Sequence, residues 1–189
     1  TVTNTGRVYK LKCYEIPEAS RTARGMAIIN LLQLQPGEKV TTMVHFDDFD
    51  EDRNLIMATK KGTIKKTPLS AYMNIRKTGI QAITLRDDDE LIEVKVSDCE
   101  QNVLMLTKKG QAIKFAEKDI RETGRSAMGV KGITLRNGDE VVAMQLETQG
   151  EYITFVSANG YGKRNRFTDF KLQNLSLIHI SEPTRPLYI

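Results

Sequence analysis

The chain has 189 residues, of which 40% are hydrophobic and 28% are charged, a composition typical of a globular domain. No apolar run approaches the length of a membrane span, and no basic-then-apolar leader opens the sequence, so neither a membrane protein nor a retained signal peptide is predicted. The net charge of +4 permits a polyanionic partner without requiring one. The two cysteines, Cys13 and Cys99, are isolated and predict half-buried thiols of a reducing, cytoplasmic compartment.

A short motif centred on a glycine occurs four times along the chain. Each copy has small polar residues or Lys before the glycine and a strand-like run after it. The glycines are separated by 56, 48 and 50 residues and are Gly6, Gly62, Gly110 and Gly160. Such a period indicates a repeat architecture. Each glycine stands where a hairpin turn needs a positive φ.

A second motif, G-x-x-x-I-x-L, follows in the same order in three of the units. It begins at Gly25, Gly79 and Gly129. Its Ile and Leu are two residues apart, so that they share one face of a strand. After a further turn, each of these units opens another apolar strand with Glu38-Lys39-Val40, Asp89-Glu90-Leu91 or Asp139-Glu140-Val141.

The second unit shows how many strands each repeat contains. Strands are predicted near Leu55–Thr59, Thr63–Thr67, Ile80–Leu85 and Leu91–Val96, with a polar connection at Pro68–Thr78. Four short strands in about 50 residues are typical of a propeller blade. The sequence therefore predicts an all-β, propeller-like array of four-stranded blades, near residues 1–45, 54–96, 102–146 and 151–175.

Enzymatic motifs are weak in this sequence. Gly160–Lys163 resembles a phosphate loop, but Ser157 stands at its first glycine position and Arg164 follows the lysine. The alternating Asp48, Asp50 and Asp52 lack the glycine and the final glutamate of a calcium loop, which favours an acidic linker. Neither His45 nor His179 lies in a sequence motif typical of a zinc site or a catalytic triad. No catalytic or metal-binding residue is predicted.

The basic residues recur with the repeat. A cation stands four positions after each hairpin glycine, and others precede the second glycine of each complete unit. A row of repeated cations matches the repeated phosphates of double-stranded DNA. The predicted DNA-binding residues are Lys10, Arg21, Arg24, Lys65, Lys66, Arg76, Lys77, Lys114, Arg125, Lys131, Lys163 and Arg164.

One feature of the strands opposes this prediction. The cation at the fourth position after the glycine has the same strand parity as the apolar residue at the second position, which is Val8, Ile64 or Ala112 in the first three units. The prediction therefore requires a bulge or a strand end that turns the cation outward. The alternative is that these lysines are merely solvated or protect strand edges from aggregation.

Four segments together resemble the C-terminal domain of the DNA gyrase A protein. They are Tyr14–Gly25 with the following Ile28–Leu32, Met57–Thr67, Gly129–Ile133 and Asn159–Arg164. The resemblance covers about Thr1–Lys171. It implies a β-pinwheel of six blades that exchange strands with their neighbours, of which this chain would supply about three and a half.

The resemblance also implies a function. The basic outer rim of such a domain binds and wraps double-stranded DNA, within an ATP-dependent type IIA topoisomerase that introduces negative supercoils. The implied partners are DNA and, in the whole enzyme, a gyrase A homodimer with gyrase B. No cofactor is expected in this segment, because ATP and Mg²⁺ would belong to gyrase B and the catalytic core. The catalytic tyrosine would lie in another domain, so the segment itself is expected to be non-catalytic.

Some features depart from the family pattern, and two other interpretations stay open. The short Gln-Arg-Arg-Gly-Gly-Lys-Gly box of the first gyrase blade is absent, and Ser176–Ile189 has no repeat character, which suggests a non-native tail. The C-terminal domain of the topoisomerase IV A protein is the nearest alternative. A protein-binding propeller is the second, although it would present aromatic anchors, and aromatic residues are only 6% of the chain.

Overall fold

A computed structural model of the chain describes residues 1–45, 52–98 and 100–175. Within these ranges the regular structure consists of short antiparallel strands and single 3₁₀ turns, without an α-helix. No helix among the described residues has the length and apolar character needed to cross a membrane. The predicted tail 176–189, Cys99 and most of the acidic linker lie outside the described residues, while Cys13 is exposed rather than half-buried.

Each of the four units begins with a β-hairpin. The four hairpins are β1 (Val2–Thr3) with β2 (Arg7–Val8), β4 (Asn54–Thr59) with β5 (Thr63–Pro68), β8 (Asn102–Thr107) with β9 (Ala112–Ala116), and β12 (Tyr152–Val156) with β13 (Gly162–Arg166). All four hairpin glycines have positive φ, with values from 78° at Gly6 to 86° at Gly62. Because side chains disfavour this left-handed region, glycine closes the turn at the lowest cost.

A third strand pairs with the first strand of the hairpin in three units. These strands are β3 (Val40–Thr42), β7 (Leu91–Ser97) and β11 (Val141–Leu146), which pair with β1, β4 and β8. The acidic residue that precedes β7 fixes this arrangement: one carboxylate oxygen of Asp89 accepts hydrogen bonds from the backbone N–H of Lys61 and of Glu90, both at 2.9 Å. Asp139 repeats the contact one unit later, with Lys109 at 3.0 Å.

The fourth strand of a blade comes from the next unit. The G-x-x-x-I-x-L segments supply β6 (Ile80–Gln81) and β10 (Val130–Lys131), which pair with β2 and β5 of the preceding hairpins. The resulting strand orders are β3-β1-β2-β6 and β10-β5-β4-β7. The strand predicted at Ile80–Leu85 is therefore present but shorter, since β6 ends at Gln81. Both β6 and β10 complete the blade before their own. In the first unit, which has no preceding unit in this sequence, the segment forms a 3₁₀ turn at Ile28–Asn30.

Strand exchange explains a second requirement for the hairpin glycine. A Cβ atom on Gly62 would lie 2.9 Å from both the carbonyl oxygen and the Cγ2 atom of Ile133, which is the Ile of the exchanged segment. A Cβ atom on Gly6 would likewise collide with Ile83, which lies in the exchanged segment that completes the first blade. Ile64 of the second unit then shares one buried core with Met105 and Ile133 of the third. The all-β fold of strand-exchanging blades is thus confirmed, with four, four, three and two strands among the described residues.

Candidate nucleic-acid interface

The lysines at the fourth position after the hairpin glycine are buried in the two central units. Lys66 is 8% exposed and Lys114 is 7% exposed. The outward turn expected for these side chains is therefore wrong. The polar connection of the following unit covers them, because the N–H of Thr123 donates to the Lys66 carbonyl at 2.9 Å and the N–H of Gln173 donates to the Lys114 carbonyl at 2.8 Å. The parity of the strand decided the direction of both side chains.

The ammonium groups of these lysines have protein partners. That of Lys66 donates to the carbonyl of Glu117 at 3.4 Å. That of Lys114 donates to the carbonyl of Phe167 at 3.3 Å, lies 4.8 Å from the centre of the Phe167 ring and is 3.7 Å from a carboxylate oxygen of Glu147. Each lysine thus links its hairpin to the 3₁₀ turn that opens the next connection. We do not assign either of them to the DNA surface.

Lys65 is also internal. Its side chain is fully buried, and its ammonium donates to the carbonyl oxygens of Ala82 and Arg125, both at 2.5 Å. Burial lowers the pKa of Lys65 to about 8, because a low-dielectric environment disfavours the charged form. The residue joins the exchanged segment of its own unit to the connection of the next, which is a structural role and not a contact with a ligand.

The other predicted cations are exposed. Several stand on the connections directly before the second glycine of a unit, and the others stand on the exchanged strand or on the hairpins at the two ends of the chain. The guanidinium of Arg164 packs over the ring of Tyr152 at 4.7 Å, which holds it at the surface. These exposed residues are Lys10, Arg21, Arg24, Arg76, Lys77, Arg125, Lys131, Lys163 and Arg164.

The connections of the second and third units meet at the surface. The hydroxyl of Thr84 donates to the carbonyl of Ser126 at 2.7 Å, which ties the third connection to the second unit. Arg76 and Arg125, which are a repeat apart in the sequence, consequently line the same polar cleft of about 760 Å³. Among the described residues that line this cleft there is no carboxylate. A cleft of this composition has the charge and the hydrogen-bond donors to bind an anion.

The sequence prediction missed Arg7, which lines the same cleft. The signal for it was weak: Arg7 follows a hairpin glycine, at a position where the other units have Thr63, Gln111 and Tyr161. The prediction selected cations that recur, and a cation present in one unit only was passed over. Arg7 comes close to Arg76 and Arg125 through the pairing of β6 with β2.

The burial of Lys114 predicts that its replacement lowers the stability of the protein, whereas replacement of an exposed cation does not. Lys114→Ala is expected to lower the free energy of unfolding by about 1–3 kcal/mol, because the carbonyl of Phe167 loses its donor inside the protein. Arg164→Ala, at the same repeat position but exposed, is expected to stay within about 0.5 kcal/mol of the parent. Urea denaturation measures both. Equal stabilities of the two variants would contradict the internal role of Lys114.

Comparison with known proteins agrees with this geometry. The family described as "DNA gyrase C-terminal domain, beta-propeller" matches residues 1–46, 53–98, 101–146 and 151–174. The gyrase A protein of Clostridium acetobutylicum is 49% identical over 172 residues, and that of Haloquadratum walsbyi is 45% identical over 179 residues. Each alignment covers 91% of this chain and 21% of the relative, so the chain spans about a fifth of the length of these proteins.

Solved structures show the same fold. The C-terminal domain of DNA topoisomerase IV superposes with a TM-score of 0.83 at 27% identity, covering 92% of this chain and 54% of that one. A DNA gyrase A C-terminal domain gives a TM-score of 0.74 at 29% identity, covering 89% and 54%. Repeated hairpins completed by strands of the next unit define the class of β-pinwheel domains. The chain belongs to the family of DNA gyrase C-terminal domains.

Proposed function

We propose that this segment binds and wraps duplex DNA through the exposed cations of its connections. The observation that carries the proposal is that Arg76 and Arg125, from different repeats, line one cleft without a carboxylate among its described residues. Guanidinium groups suit phosphate because they donate hydrogen bonds in a planar, bidentate arrangement. Contacts of this kind fix a duplex in position but do not read its sequence.

The proposal extends to the whole protein. The relatives are gyrase A proteins, so we place the segment within an ATP-dependent type IIA topoisomerase that introduces negative supercoils. Its partners would be a second copy of the gyrase A protein and gyrase B subunits, with ATP and Mg²⁺ bound outside this segment. Because the curated relatives are gyrase A proteins, we place the protein in the cytoplasm, associated with the nucleoid. Supercoiling of a relaxed plasmid by the assembled parent enzyme, with and without ATP, tests this larger statement.

A salt titration tests DNA binding by the segment itself. The chain should bind two unrelated duplexes of equal length with similar affinity, and the logarithm of the binding constant should fall linearly with the logarithm of the salt concentration. The expected slope is about −0.9 for each phosphate neutralised. Fluorescence anisotropy at several salt concentrations measures it. A flat salt response, or a strong preference for one duplex, would overturn the proposal.

A topoisomerase IV A protein is the second candidate for the parent. The superposition on the topoisomerase IV domain, with a TM-score of 0.83, favours it, although that match is only 27% identical. The curated relatives described above are gyrase A proteins at 45% and 49% identity and favour the first candidate. Sequencing the reading frame upstream of Thr1 tests the choice, because the gyrase parent should carry the Gln-Arg-Arg-Gly-Gly-Lys-Gly box in its first blade.

A further inference from the structure

Three arginines from three different units line the cleft at the boundary of the first two blades. Arg7 follows the first hairpin glycine, Arg76 lies on the second connection and Arg125 lies on the third. In sequence these residues are far apart and occupy two different motif positions. Strand exchange brings them together, because β6 of the second unit pairs with β2, which begins at Arg7.

The guanidinium of Arg7 is fixed at this cleft. One of its terminal nitrogens donates to the carbonyl oxygens of Thr78 at 2.7 Å and of Gly79 at 3.2 Å. Its Nε atom lies 3.7 Å from a carboxylate oxygen of Glu38. That carboxylate already accepts hydrogen bonds from the hydroxyls of Tyr9 at 2.5 Å and Thr5 at 2.7 Å. The charge of Arg7 is therefore oriented before any ligand arrives, which reduces the entropic cost of binding.

The two exposed arginines stand on backbone that is also held. The carbonyl of Arg125 accepts the hydrogen bond from the buried ammonium of Lys65. The carbonyl of Arg76 accepts from the N–H of Gly79 at 2.9 Å, which closes the turn before β6. Both side chains are exposed, and long flexible side chains can turn toward an anion bound in the cleft that they line.

We infer that these three arginines form a single binding site for one phosphate of the DNA backbone, at the boundary between the first two blades. The inference rests on the proposed function and specifies one contact of it. Ser70, Asn74 and Thr78 also line the cleft and add neutral polar groups for the remaining phosphate oxygens. Three guanidinium groups around one phosphate neutralise one charge of the duplex, whereas three separate contacts neutralise three, and the salt dependence of binding distinguishes the two.

The test counts phosphates. If the arginines share one phosphate, the triple variant Arg7→Gln, Arg76→Gln, Arg125→Gln should reduce the magnitude of the log–log salt slope by about 0.9, whereas three separate contacts would reduce it by about 2.7. Arg86→Gln is the matched control, because Arg86 is exposed and stands beside the acidic turn that begins at Asp87, and it should leave the slope unchanged. Circular dichroism and urea denaturation of each variant establish that it is folded.

A second variant avoids the internal hydrogen bonds of Arg7. The double variant Arg76→Gln, Arg125→Gln changes only exposed side chains and should reduce the slope by no more than about 0.9, against about 1.8 for separate contacts. A reduction of the salt slope by about 1.8 in the double variant and about 2.7 in the triple variant would overturn the single site. An unchanged slope in the triple variant would also overturn it. Either result would leave DNA binding by the segment intact. Inorganic phosphate that competes with DNA no better for the parent than for the triple variant, at equal ionic strength, would also overturn it. Failure of the parent chain to bind DNA would instead overturn the proposed function.

Discussion

Gly129→Ala is expected to lower the free energy of unfolding by more than about 2 kcal/mol. The residue has a φ of +90°, and a left-handed conformation alone costs a side chain about 1–2 kcal/mol. The new Cβ atom would also lie 2.5 Å from the carbonyl oxygen of Ile64. This oxygen belongs to β5, where Ile64 pairs with Val130 of the exchanged strand. It cannot move away without weakening the pairing that joins the third unit to the second blade.

A matched control separates the two costs. Gly138 has a φ of +68°, but a Cβ atom built on it would meet nothing within 4 Å. Gly138→Ala should therefore show the conformational cost of about 1–2 kcal/mol without the collision. Urea denaturation compares the variants, and hydrogen exchange at Val130 should be faster in Gly129→Ala only. If both variants lost the same stability, close packing at Gly129 would not be what requires glycine.

The stability of the folded chain is expected to rise with pH between about 8 and 10 because of Lys65. Burial lowers the pKa of this lysine from 10.5 to about 8 in the folded protein. In that interval the unfolded chain binds more protons at Lys65 than the folded chain does, so raising the pH favours folding. The contribution is on the order of 3 kcal/mol, since one pKa unit corresponds to about 1.4 kcal/mol.

The control for this prediction is Lys65→Met, which keeps an unbranched side chain and cannot titrate. The unfolding free energy of the parent minus that of this variant should increase from pH 8 to pH 10, because only the parent gains stability from Lys65. Tyr72 acts in the opposite direction at higher pH, because burial raises its pKa from 10.0 to about 12 in the folded chain. It is present in both proteins and cancels from their difference. Parallel pH profiles would show that Lys65 does not titrate in this range.

The proposed interface changes how mutations of the basic residues should be interpreted. Loss of DNA binding after a change at Lys66 or Lys114 would reflect altered packing, since both side chains are buried. Loss after a change at Arg76 or Arg125 would reflect a contact with the ligand, since both are exposed. Stability and affinity therefore need to be measured together for every lysine or arginine of this domain.

The repeat determined most of the fold from the sequence alone. The spacing of Gly6, Gly62, Gly110 and Gly160 and the recurring G-x-x-x-I-x-L segments report local requirements, namely a positive φ in a turn and one apolar face on a strand. Such requirements repeat whenever the unit repeats, so they are visible without coordinates. The resemblance to the gyrase family rests on the same residues and is confirmed.

The exchange of strands between blades was implied only by the family resemblance, and the tertiary structure decided which cations reach the surface. No local pattern distinguishes a β10 that pairs within its own unit from one that pairs with β5, because either arrangement buries the same apolar face. In the structure, the third connection covers Lys66 and the fourth covers Lys114. Strand exchange brings Arg7 to Arg76 and Arg125. Burial and proximity depend on what the next unit lays over a residue, and this information lies about 50 residues away in the chain.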